Sequence, residues 1–160
     1  MFGCARQKNH NEALLETEVT RSSRVHAESE PQSTPSHFES LQALDFLAGN
    51  WVNKDETVTC TSSFKWDKHK NFLVQHFVVH VSDQKEIEGR QIIGWDPNEN
   101  KIRSWTFDSD GGFGESTWSQ DGTRWYASTV FTLPDGRRAS ATHIYTKIND
   151  NTYTFFVRFV

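Results

Sequence analysis

A chain of 160 residues is long enough for one domain with a sizeable core. Its net charge of −4 and pI of about 6.0 leave no basic face, which excludes nucleic acid as an expected partner. The hydrophobic fraction is a low 35%, and no apolar run nears the roughly 20 residues that span a bilayer, so no transmembrane segment is expected.

Much of the apolar deficit lies in residues 1–35, which are rich in Ser, Glu and Gln and end with Pro31 and Pro35. Such a composition buries too little to offset the entropy of ordering. The segment reads as a flexible polar leader, with at most a transient helix over 11–19. Met1-Phe2-Gly3-Cys4 resembles the end of a bacterial lipoprotein signal, but the basic and apolar regions that precede such a cysteine are missing. A lipid-anchored form through Cys4 follows only if the start is misassigned. The two cysteines, Cys4 and Cys60, do not make a disulfide framework. A bridge between them would tie down the leader; free thiols fit a disordered leader better.

The second segment, 36–160, opens with a short helix. Ser36-His37-Phe38-Glu39 fits a capping box, in which the serine hydroxyl and the glutamate each satisfy an orphan amide. Phe38, Leu41, Leu44 and Leu47 recur at helical spacing, and Gly49 stops the helix. Strands then follow near 50–54, 56–66, 72–82, 86–95, 101–108, 112–119, 124–132, 137–147 and 152–160. Their connections are turn chemistry, among them Asp110-Gly111-Gly112, Asp121-Gly122 and Pro134-Asp135-Gly136. Strands this close leave no room for helices between them. The fold class is all-β: an antiparallel up-and-down β-barrel of about nine strands, preceded by one short helix.

Turn lengths set the facing. A two-residue loop at Asp121-Gly122 pairs Trp118 with Trp125. The loop Pro134–Gly136 pairs Phe131 with Ala139 and Ala127 with His143, and the turn after Asp96 pairs Trp95 with Ile102. Carried across the strands, this parity puts Gln91, Ile93, Trp95, Ile102, Ser104, Thr106, Gly114, Ser116, Trp118, Trp125, Ala127, Thr129, Phe131, Ala139, Ala141, His143 and Tyr145 on one face. Glu88, Arg90, Lys101, Arg103, Glu115, Arg124 and Arg138 fall on the other, although charge was not used to set the parity. The charged face is the exterior. The strand 72–82 is apolar at both parities. A two-residue turn after it would turn His76 and His80 inward; a longer one would turn Phe77, Val79 and Val81 inward, and hydrophobicity favours the longer turn.

Little in the chain points to catalysis. His76 and His80 are four apart, which on a strand separates their Cα atoms by roughly 13 Å and gives no metal signature. No nucleophile elbow, phosphate loop or pair of catalytic carboxylates is visible, and Gly111-Gly-Phe-Gly114 belongs to a hairpin rather than to a strand–helix junction. No cofactor is expected. His143 is either a neutral core histidine bonded to Gln91, Ser104 or Thr129, or a ligand-facing donor, or an axial haem ligand. Small and polar residues beside large aromatics are how a barrel pocket is lined. The candidate cavity-lining residues are therefore Gln91, Trp95, Ser104, Thr106, Trp118, Trp125, Thr129, His143 and Tyr145, with no catalytic or metal-binding residue among them.

Phe46-Leu-Ala-Gly-Asn-Trp51, a short helix ending in Gly-x-Trp before the first strand, resembles the opening of lipocalin-like (calycin) barrels. With Ile93-Gly-Trp-Asp-Pro97 and Arg103-Ser-Trp-Thr-Phe-Asp-Ser-Asp-Gly-Gly-Phe-Gly114, residues 40–155 resemble the small lipocalin-like domains of unknown function in secreted bacterial proteins. Those domains often follow a SnoaL-like domain bearing an oxidoreductase or cyclase label. No such companion is present, so a catalytic label does not carry over. The resemblance implies a secreted or cell-envelope location.

The leading expectation is a non-enzymatic module that binds a small apolar or amphipathic ligand. An accessory or interaction domain is the alternative, and an enzyme using the cavity is third. The final run, Tyr153-Thr-Phe-Phe-Val-Arg-Phe-Val160, stops inside a strand where the related domains continue. It suggests a truncated copy, incomplete at the C-terminus. The barrel should then close incompletely and leave an apolar edge open to a homodimer or a partner protein.

Overall fold

The computed structural model describes residues 35–54, 58–81 and 86–160. Cys4, the helix over 11–19 and the polar leader up to residue 34 lie outside the described residues. Nine strands follow one another: β1 (Gly49–Lys54), β2 (Val58–Trp66), β3 (Phe72–Val81), β4 (Glu86–Asp96), β5 (Lys101–Asp108), β6 (Phe113–Asp121), β7 (Arg124–Thr132), β8 (Arg138–Asn149) and β9 (Thr152–Phe159). Each pairs antiparallel with the next, so the spatial order is the chain order. The sheet curls into a half-barrel compatible with a lipocalin-like fold, its two edges being β1 and β9.

The strands behave as half-buried strands should. Along β6 exposed and buried residues alternate from Phe113 through Ser119, and Arg90, Lys101, Glu115, Arg124 and Arg138 all lie exposed. Leu73 pairs with Ile93 and Phe77 with Gly89, which puts Leu73, Phe77 and Val79 on the concave side with Gln91. His76 and His80 face outward, where they meet Glu88 and Glu86 at 2.7 and 3.2 Å.

Two local expectations need correction. The hairpin β6–β7 turns on Gly122-Thr123, because Asp121 already pairs with Arg124. Trp118 is therefore opposite Ala127, and Trp125 opposite Gln120. The register has slid by an even number of residues, so both indoles keep the concave face and their rings meet diagonally, 6.5 Å apart. The helix also differs. Ser36 Oγ accepts the Phe38 amide at 3.1 Å and donates to the Lys70 carbonyl, so it makes a local turn rather than a reciprocal capping box.

The first turn, α1 (Phe38–Leu41), tightens into a 3-10 segment over Gln42–Leu47. Leu41, Leu44 and Leu47 recur every third residue, and a helix of three residues per turn stacks them in one line. All three are fully buried, and they join Phe64, Leu73, Ile93, Ile102 and Trp118 in the core. Polar anchors fix the helix over that end of the half-barrel. The Trp66 indole donates to Asp45 Oδ1 and the Trp51 indole to the Leu47 carbonyl, each at 2.7 Å. No helix among the described residues is long and apolar enough to cross a membrane.

Candidate binding site on the concave face

The helix seals one end of the concave face, where the turns β2–β3, β4–β5 and β6–β7 gather. Halfway along, the inward residues become polar. Gln91 on β4 faces Thr106 on β5, and its Nε2 donates to Ser104 Oγ and Thr106 Oγ1, both at 3.2 Å. Ser104 also accepts the Trp118 indole N–H at 2.9 Å. A second run joins the Ser116 and Thr129 hydroxyls at 2.8 Å and Thr129 to His143 Nδ1 at 3.0 Å. Gln91, Ser104, Ser116 and Thr129 are all buried. Buried polar groups persist only when partnered, and with Thr106, Trp118 and His143 these form two bonded runs spread over five adjacent strands.

One group in this belt lacks a partner: Gln91 Oε1 is buried without a hydrogen bond. Leaving a buried acceptor unmet costs about 1–3 kcal/mol. Burial also lowers the pKa of His143 below its usual 6.5, so the imidazole is neutral at pH 7.

Beyond the belt lies the open end. Phe77 lies opposite Gly89 and Phe131 opposite Gly114, and a Cβ at either glycine would overlap the facing ring. Both rings are half-buried, as are Ala139, Ala141 and His143. Between the rims, among the described residues, no Asp, Glu, Lys or Arg points into the concave face; Asp108 stands at the open rim and Lys147 at the sealed one.

The nine candidate lining residues thus divide. Trp118, Trp125 and Tyr145 are core residues, and Trp95 packs beside them. Trp118 stacks on Tyr145 with centroids 5.2 Å apart, and burial pushes the Tyr145 phenol's pKa well up. Gln91, Ser104, Thr106, Thr129 and His143 form the polar belt, together with Ser116. Sequence reasoning left Tyr153 out of the candidate set. Its ring meets Trp51 at 4.7 Å and Tyr145 at 6.1 Å, so aromatic contacts bridge the seam between β9 and β1 that no backbone pairing among the described residues closes. The Ser62 hydroxyl on β2 bonds the Tyr153 phenol, and burial is the larger influence, raising its pKa. Tyr153 was legible as part of an apolar strand, but its role depends on how far the sheet curls.

Two surface recesses lie elsewhere. One of about 420 Å³ is on the convex side of β7–β9, around Tyr126, Ile144 and Phe156; the other, about 370 Å³, flanks β1 and β2. Cys60 on β2 is a free thiol, and half-burial raises its pKa. No three metal-binding side chains come together among the described residues. No protein-family model matches the chain, and no curated protein matches it.

Proposed function

We propose that the concave face binds a small apolar or amphipathic ligand without transforming it. The protein then acts outside the cytoplasm, secreted or in the cell envelope, as the small lipocalin-like domains of secreted bacterial proteins do. The observation that carries this reading is the buried polar belt, with its unsatisfied Gln91 carbonyl, beneath half-buried aromatic rings at an open end. Polar groups at fixed positions within an apolar concavity orient a ligand, while the surrounding apolar surface supplies the affinity. Titration of the full chain with an environment-sensitive hydrophobic dye tests it. Saturable binding that quenches tryptophan emission is expected, and Phe131→Ala should weaken it several-fold. A chain that leaves the dye dark is not a ligand carrier.

A second reading, an interaction domain such as an accessory module of a SnoaL-like protein, is favoured by β9. Phe156 is 65% and Phe159 79% exposed on this edge strand, whose outer backbone groups meet no strand among the described residues. Arg158 is its one charge, and edges without charge or proline invite pairing. Light scattering after size exclusion should show a dimer that Val157→Lys dissolves. A monomer at high micromolar concentration rejects self-association through this edge.

A further inference from the structure

We infer that the ligand of the concave face is an uncharged molecule whose hydroxyl or amide head group is buried against Gln91, with its apolar remainder directed past Phe77 and Phe131 to the open end. This rests on the ligand-binding reading above and narrows it to one chemical class.

Three observations converge. The first is the Gln91 side chain itself, 4% exposed with both Nε2 hydrogens committed and Oε1 unmet. A group that both donates and accepts, such as an alcohol or a primary amide, satisfies the free end in either orientation of the terminal amide. A carboxylate has no proton to give the carbonyl oxygen.

The second is charge. An anion drawn to this depth would lose its hydration, and burying an unpaired charge costs far more than a hydroxyl can. No cation faces it between the rims among the described residues, and His143 is neutral.

The third is the division of the face along its length. The belt lies halfway along, and the half-buried Phe77 and Phe131 each lie one inward position nearer the open end, Phe131 than Thr129 on β7 and Phe77 than Gln75, the partner of Gln91, on β3. A polar head inward and an apolar body outward matches that gradient; the reverse orientation would set the head beside rings and the chain against hydroxyls.

The test compares 1-decanol with decanoate at pH 8, using the full chain and tryptophan fluorescence for both. Decanol should bind at least about tenfold more tightly. Gln91→Met should lower decanol affinity about tenfold while leaving decanoate affinity within twofold. Equal or tighter binding of decanoate to the wild-type chain overturns the inference but leaves a ligand site standing. If neither amphiphile binds and the dye does not either, the ligand-binding reading itself falls. The wild-type comparison needs no variant, so a misfolded Gln91→Met cannot obscure the outcome.

Discussion

The two ends of the concave face are built on the same strands yet are opposites in packing. At the sealed end Leu41, Leu44, Leu47, Phe64, Leu73 and Ile93 are buried to within 1% of zero exposure. Toward the open end Phe77 and Phe131 are half-buried, and on the edge strand, which the helix does not cover, Val157 is 40% and Phe159 79% exposed. Strand propensity and alternation are the same at both ends. Among the described residues the difference is the helix, which covers one end and not the other. Stability is thus concentrated where the helix docks.

The largest effect that would break this comparison is at the helix. Leu44→Ala leaves a cavity in a fully packed region and should cost about 2–5 kcal/mol, whereas Val157→Ala should cost under about 1 kcal/mol. Urea unfolding measures both. Comparable losses would mean that the helix is not what separates the two ends.

Next come the glycines beneath the rings. In Gly114→Ala the new methyl overlaps Phe131 and lies 2.9 Å from the Val130 carbonyl oxygen, so backbone as well as ring has to shift. A loss of about 1–3 kcal/mol is expected. For Gly89→Ala the three nearest atoms all belong to the Phe77 ring, and it should cost less, because a half-buried ring can swing toward the open end. The reverse order of the two would mean that Phe77 is as tightly held as the core.

The smallest effect is a pH dependence. Burial holds the His143 pKa below 6.5, so the unfolded chain takes up the proton first as pH falls. The contribution is complete above about pH 6.5 and is lost as pH drops from there through the folded-state pKa, at no more than about 1.4 kcal/mol per pH unit. His143→Gln should flatten the denaturation midpoint over that window and leave it unchanged at pH 8 relative to its own plateau. An unaltered acid slope would place His143 in water rather than in the belt.

The sheet was legible because a strand's period of two is local. Once Pro134–Gly136 set Phe131 opposite Ala139, every charge on β7 and β8 outside the rim fell outward, and the structure has that register. Even the slid β6–β7 hairpin preserved facing, since a shift by an even number of residues returns each side chain to its own side. Turn residues and alternation therefore determine the all-β meander, the concave set and the polar exterior without reference to distant contacts.

What depends on distant contacts was decided by the tertiary structure. Leucines three apart specify a helical line, but the tight 3-10 geometry follows from docking Leu41, Leu44 and Leu47 on Phe64 and Leu73. That docking also separates Trp118 and Tyr145, which became core, from Thr106 and His143, which stayed half-buried in the belt. No parity rule makes that distinction, because all four share one face. The seam is of the same kind. Trp51 and Tyr153 are 102 positions apart in the chain, and their rings meet only because curl accumulates across all nine strands. Pattern is a property of neighbours in sequence, whereas closure and depth belong to the sheet as a whole.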